Sequence, residues 1–157
     1  VSLKVLDYLE RNRLWEKVER QGARLKDALN DLMRANPRII REVRGVGMMV
    51  GVEYLHEFMG PMMSDALARH GVFAAYSGNA PQVMRFMAPI TVSDAELDGI
   101  IAAIRAAVRD MKTLLPLALL AARVPGVLKL LHNEKMQTAL FSWVRKAEDL
   151  FSRGGGN

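Results

Sequence analysis

Apolar residues recur along this chain with two periods, and the switches between them mark the elements. Leu14, Val18, Leu25, Leu29 and Leu32 stand at steps of four, seven, four and three, the spacing of one helix face. The helical pattern covers residues 2–35 with a break near Asn12, the expected N-cap of the longer segment, and Asn36-Pro37 stops it. Gly22 inside that helix costs up to ~1 kcal/mol relative to alanine, which close packing against a neighbour would explain. Two short strands are expected at residues 39–44 and 48–54 around the turn Gly45-Val46-Gly47. In the second, Met48, Val50, Val52 and Tyr54 alternate with Met49, Gly51 and Glu53. Residues 57–70 read as a helix that ends at His70-Gly71. Strands follow at 71–76 and 82–87, joined by a loop from Ser77 to Pro81. Ser93-Asp94-Ala95-Glu96 is a capping box, opening a helix whose apolar face is Leu97, Ile101, Ile104 and Val108. This order predicts an α+β fold, with a small, mainly antiparallel sheet of about four strands covered on one side by helices.

The character changes near residue 111, so two parts are expected: a domain over 1–111 and a basic, amphipathic helical extension over 112–157. Leucine and alanine dominate residues 114–131, but Pro116, Arg123, Pro125 and Lys129 interrupt them. A membrane span needs roughly 20 apolar residues without such breaks, so none is expected. Residues 134–151 read as a helix with Met136, Leu140, Trp143, Val144, Ala147 and Phe151 on one side.

Charge sharpens that division. The net charge is +5, with 15 basic against 14 acidic residues over 1–111 and 7 against 3 over 112–157. Basicity therefore belongs to the tail, and no basic stripe with groove-reading or aromatic elements suggests nucleic acid as a partner. Half of the residues are hydrophobic and a quarter charged, as in a soluble globular protein. There is no cysteine, which excludes disulfides and thiolate metal sites and fits a reducing, cytoplasmic setting. The three histidines, His56, His70 and His132, have no metal-ligand spacing. The N-terminus has charges throughout its apolar positions, unlike a signal peptide, and lacks an initiator methionine, as if it began inside a longer protein.

Arg85 is the candidate for chemistry. It lies in the apolar segment QVMRFMAPITVSDAE (82–96), where a cation needs an anionic partner or water at its tip. From the residues alone, binding a carboxylate ligand and pairing with an acid of its own domain weigh equally. Strand alternation sends Met84 and Phe86 to the opposite face, as core. Arg44, Gly45 and Gly47 read as a structural turn, and Glu53 as a solvent-facing or ion-paired acid. The methionines, Met48, Met49, Met62, Met63, Met84 and Met87, read as adaptable core filler. Tyr76 and Ser77 could line a pocket by position alone.

Taken in order, the leucine-rich helix with its internal glycine, the segment EVRGVGMMVGVEY (42–54) and the arginine-bearing strand with its proline turn carry a resemblance. Over roughly residues 2–110 the chain resembles the small C-terminal domain of class III aminotransferases, the ornithine, acetylornithine and 4-aminobutyrate group that uses pyridoxal 5'-phosphate. The resemblance implies that Arg85 binds the substrate carboxylate, for which a planar guanidinium offers two parallel donors. It implies a large domain, missing here, that supplies the Schiff-base lysine, the acid facing the pyridinium nitrogen and the phosphate cradle. Lys4, Lys17, Lys26, Lys112, Lys129, Lys135 and Lys146 all fall in helical or amphipathic runs, and no glycine-rich strand-to-helix turn is visible. The chain alone is then expected to be inactive, and to work in the complete enzyme, a homodimer, by closing over the pocket. The alternative is a non-catalytic α+β interaction module whose basic tail docks a partner or an anionic membrane surface. Extra helices packed on protein are the more ordinary reading of that tail.

Overall fold

A computed structural model of the chain describes residues 2–122, in the order α1 (Ser2–Arg11), α2 (Leu14–Ala35), β1 (Ile40–Val46), β2 (Met49–Tyr54), α3 (Met59–Arg69), β3 (Ala75–Ser77), β4 (Ala80–Met87) and α4 (Asp94–Ala122). The strands form one open antiparallel sheet in the order β1-β2-β4-β3. With four helices among the described residues, this is the α+β layer the sequence predicts. Val1–Leu114 form the first compact unit; of the second, which begins at Leu115, only the end of α4 is described.

Alternation along β2 and β4 decides which face is core. Val50, Val52, Tyr54, Met84 and Phe86 are buried on the helical side, while Met49, Arg85 and Met87 are exposed on the other. On the helical side α2 contributes Leu25, Ala28 and Leu29, α3 contributes Met59, Met63 and Leu67, and α4 contributes Leu97, Ile104 and Val108. Each of these leucine, isoleucine, valine and methionine side chains stabilises the fold by about 1.5–3 kcal/mol relative to exposure. Leu25 and Leu29 share an apolar recess with Ile101 and Ile104, which fixes α2 against α4.

Polar contacts set the same two helices in register. Gln21, fully buried in the apolar stripe of α2, donates from Nε2 to the Val92 carbonyl at 3.1 Å and to Asp94 Oδ1 at 3.0 Å. Arg24 pairs with Asp94 at 3.0 Å and with Asp98 at 2.5 Å. The capping box forms as expected: Ser93 N–H donates to Glu96 Oε2 at 2.7 Å, and Glu96 N–H donates to Ser93 Oγ at 3.2 Å. Gly22 has the tertiary cause anticipated for it, since a Cβ there would lie 2.3 Å from the Gly47 carbonyl oxygen.

Some boundaries differ from the sequence reading. Asn12 does not cap α2. Its side-chain amide donates to the Tyr8 carbonyl at 2.8 Å, closing the end of α1, and the chain turns instead through Arg13 at φ 45°. The third strand begins at Ala75 rather than residue 71, because α3 ends in a Schellman motif: Val72 N–H bonds the Leu67 carbonyl and Gly71, at φ 76°, bonds the Ala68 carbonyl. Those residues are committed to the helix end and so are withheld from the sheet. The last described helix, α4, runs to Ala122 and contains Pro116. The expected helix over 134–151 lies outside the described residues. No helix among the described residues is long and apolar enough to cross a membrane.

Candidate functional site

The open face of the sheet is organised by strand register into transverse rows. Directly opposed residues in neighbouring strands project on the same side. Val46, Met49 and Met87 make an apolar row, all exposed. Next to it run Arg44, Gly51, Arg85 and Ala75, one from each strand in the order β1-β2-β4-β3. Glu42, Glu53 and Val83 follow. The face thus grades from apolar through cationic to acidic.

Arg85 is placed there by its neighbours. Met84 is fully buried and Phe86 nearly so, and a strand that buries both must turn the residue between them to the opposite side. Its guanidinium has no hydrogen-bond or ion-pair partner among the described residues and stands exposed beside Gly51 and Ala75. An exposed, unpartnered guanidinium retains its full fork of donors for an external anion.

Arg44 shares the row but not the state. Its Nη1 donates to Glu42 Oε2 at 2.7 Å and to Glu53 Oε2 at 2.9 Å, while Arg41 Nη1 donates to Glu53 Oε1 at 3.0 Å. Glu53 therefore ties β1 to β2. The Arg44 hydrogen bond, then that of Arg41, holds its carboxyl below the ordinary range, and the same Glu53 bond raises Arg44. The turn beyond Arg44 is packed tightly: Gly45 lies at φ 146° and Gly47 at φ 54°, and Lys26 Nζ donates to the Gly45 carbonyl at 3.1 Å.

Tyr76 is not brought to this face. It opposes Met84, so it leans to the helical side, with its Cβ close to Gly60 at the start of α3. Gly51 was not singled out by sequence reasoning as a site residue, because its place between two arginines depends on pairing with strands distant in the chain. A glycine in the middle of an alternating strand was the available signal.

The described residues do not fit pyridoxal phosphate. Lys17 and Lys26 spend their ammonium groups on the Thr91 and Gly45 carbonyls, and Lys4 and Lys112 lie exposed on helix surfaces. The glycine turn at Gly45 and Gly47 is closed against Met49 and α2, and the first turn of α4 is already capped by Ser93 and Glu96. Neither leaves room or charge for a phosphate.

Comparison with known proteins gives a consistent result. The model of the class-III aminotransferase family matches residues 1–108. An uncharacterized aminotransferase of Schizosaccharomyces pombe is 32% identical over 114 residues, covering 66% of this chain and 24% of its own length. The acetylornithine aminotransferase of Thermosynechococcus vestitus is 35% identical over 100 residues, covering 62% and 24%. Among solved structures, the lysine aminotransferase from M. tuberculosis matches with a TM-score of 0.62 at 28% identity, covering 67% of this chain and 24% of that one. The chain spans about a quarter of the length of the curated relatives it matches. A match of this extent, over the whole sheet and the helices as far as residue 108, means that the chain is an aminotransferase region and belongs to the aminotransferase class-III family.

Proposed function

We propose that this chain is the small domain of a longer, cytoplasmic, pyridoxal-phosphate-dependent aminotransferase, and that Arg85 receives the carboxylate of its amino-acid or keto-acid substrate. The carrying observation is the state of Arg85: exposed on the open sheet face, beside a residue without a side chain, and unpartnered among the described residues. A guanidinium in that state binds a carboxylate through two parallel N–H donors and fixes its orientation as well as its position. The cofactor, when bound by the absent large domain, supplies the electron sink for amino-group transfer. What this chain contributes is a cation at a defined point, on a face that would close over the pocket of a homodimer and exclude water.

In the complete enzyme, Arg85→Ala is expected to lower kcat/KM for carboxylate substrates by one to three orders of magnitude, about 1.5–4 kcal/mol of lost transition-state binding. Arg85→Lys should recover only part, because an ammonium keeps the charge and loses the fork. Steady-state kinetics of Arg85→Ala indistinguishable from the parent with every carboxylate substrate would remove Arg85 from the site.

A further inference from the structure

Gly51 is a glycine that the fold does not require. At Gly22 and Gly45 a Cβ would lie 2.3 and 2.2 Å from a backbone carbonyl oxygen, so nothing larger fits. At Gly51 the nearest atoms to a Cβ would be the Arg44 carbonyl oxygen at 3.7 Å and Arg44 Cγ at 3.9 Å, which is ordinary contact. No left-handed backbone demands glycine there either. Yet β2 lies between β1 and β4, where a missing side chain forfeits packing and costs about 0.5–1 kcal/mol in backbone entropy. A strand glycine without a steric reason of its own marks a place where something else approaches the backbone.

What stands on either side says what approaches. Across one strand, at a spacing of about 10 Å between their Cα atoms, are Arg44 and Arg85. Arg44 is fastened by Glu42 and Glu53, so it forms a fixed wall; Arg85 is unpartnered among the described residues. We propose that Gly51 is a specificity-determining residue: its absent side chain leaves a lane on the sheet surface along which the carboxylate end of a substrate reaches Arg85. The width of that lane limits bulk next to the carboxylate. The inference rests on the reading of Arg85 as the carboxylate receptor and adds to it the residue that sets which carboxylates arrive.

The test compares Gly51→Ala, Gly51→Val, Arg85→Ala and the Gly51→Val/Arg85→Ala double variant in the complete enzyme, with acetate and benzoate as competitive inhibitors and thermal unfolding as the control for folding. Gly51→Val is expected to weaken benzoate about tenfold or more while weakening acetate only a few-fold, the scale on which hydrophobic bulk discriminates. In the Arg85→Ala background it should cost little more, since residues acting on one ligand group are not additive. Should the valine variant unfold, Gly51→Ala, whose Cβ meets only ordinary contacts, carries the same comparison with a smaller shift. Arg85→Ala without effect on either inhibitor would sink the carboxylate reading itself. Arg85→Ala weakening both while Gly51 variants discriminate between neither would sink the lane alone. An equal, fully additive loss in both backgrounds would also overturn it, showing that protein backbone rather than ligand occupies the space over Gly51.

Discussion

Glu53 accepts one hydrogen bond from Arg44 and another from Arg41, with its side chain only 17% exposed. Its pKa is lowered in the folded chain, chiefly by Arg44, so its contribution to stability is present above the ordinary carboxylate range and is lost as pH falls through the folded value. Glu53→Gln is therefore expected to destabilise by about 1 kcal/mol at pH 7, in keeping with a half-exposed pair of arginines. The difference from the parent should shrink at an acid pH below the ordinary carboxylate range. Urea unfolding at the two pH values measures both, and an undiminished difference in acid would mean that Glu53 acts by packing instead. The same residue explains why two arginines on one row differ: Arg44 has two carboxylates within reach, whereas Arg85 has Gly51 and Ala75 beside it. Pattern alone could turn Arg85 away from Met84 and Phe86. It could not say whether an acid stood next to it.

At the scale of elements, the contact between α2 and the β1–β2 turn sets two effects against each other at one position. Alanine at Gly22 would gain up to ~1 kcal/mol in helix propensity. The same methyl group would meet the Gly47 carbonyl oxygen at 2.3 Å, and that oxygen belongs to a turn held by Lys26 and by its own positive-φ glycines. Overpacking against backbone that cannot retreat costs about 1–3 kcal/mol, so the tertiary effect wins and Gly22→Ala should lower the midpoint of thermal unfolding. A raised midpoint would show that the turn yields. Periodicity located these elements well, from the alternation of β2 to the capping box of α4, because both signals are local. It failed at junctions. Asn12 had two helices to serve and closed the first, and Val72 was drawn into the end of α3 by a hydrogen bond to Leu67.

For the whole molecule, the decisive quantity is how much of a catalytic pocket one chain holds. Among the described residues, every lysine is either committed to a backbone carbonyl or exposed on a helix, and the chain matches about a quarter of its relatives' length. Purified material of this length, mixed with pyridoxal phosphate, an amino acid and 2-oxoglutarate, is expected to transfer no amino groups and to retain no cofactor through gel filtration. Stoichiometric retention with turnover would overturn the small-domain proposal. By itself the sequence determined the α+β class, the order of elements, the family likeness and the side of the strand from which Arg85 projects. All of these follow from local period, turn chemistry or ordered motifs. The tertiary structure alone decided the rows on the open face, the difference between Arg44 and Arg85, and the position of Gly51 between them. Those depend on strand register, and register is fixed by hydrogen bonds between segments that the chain itself keeps far apart.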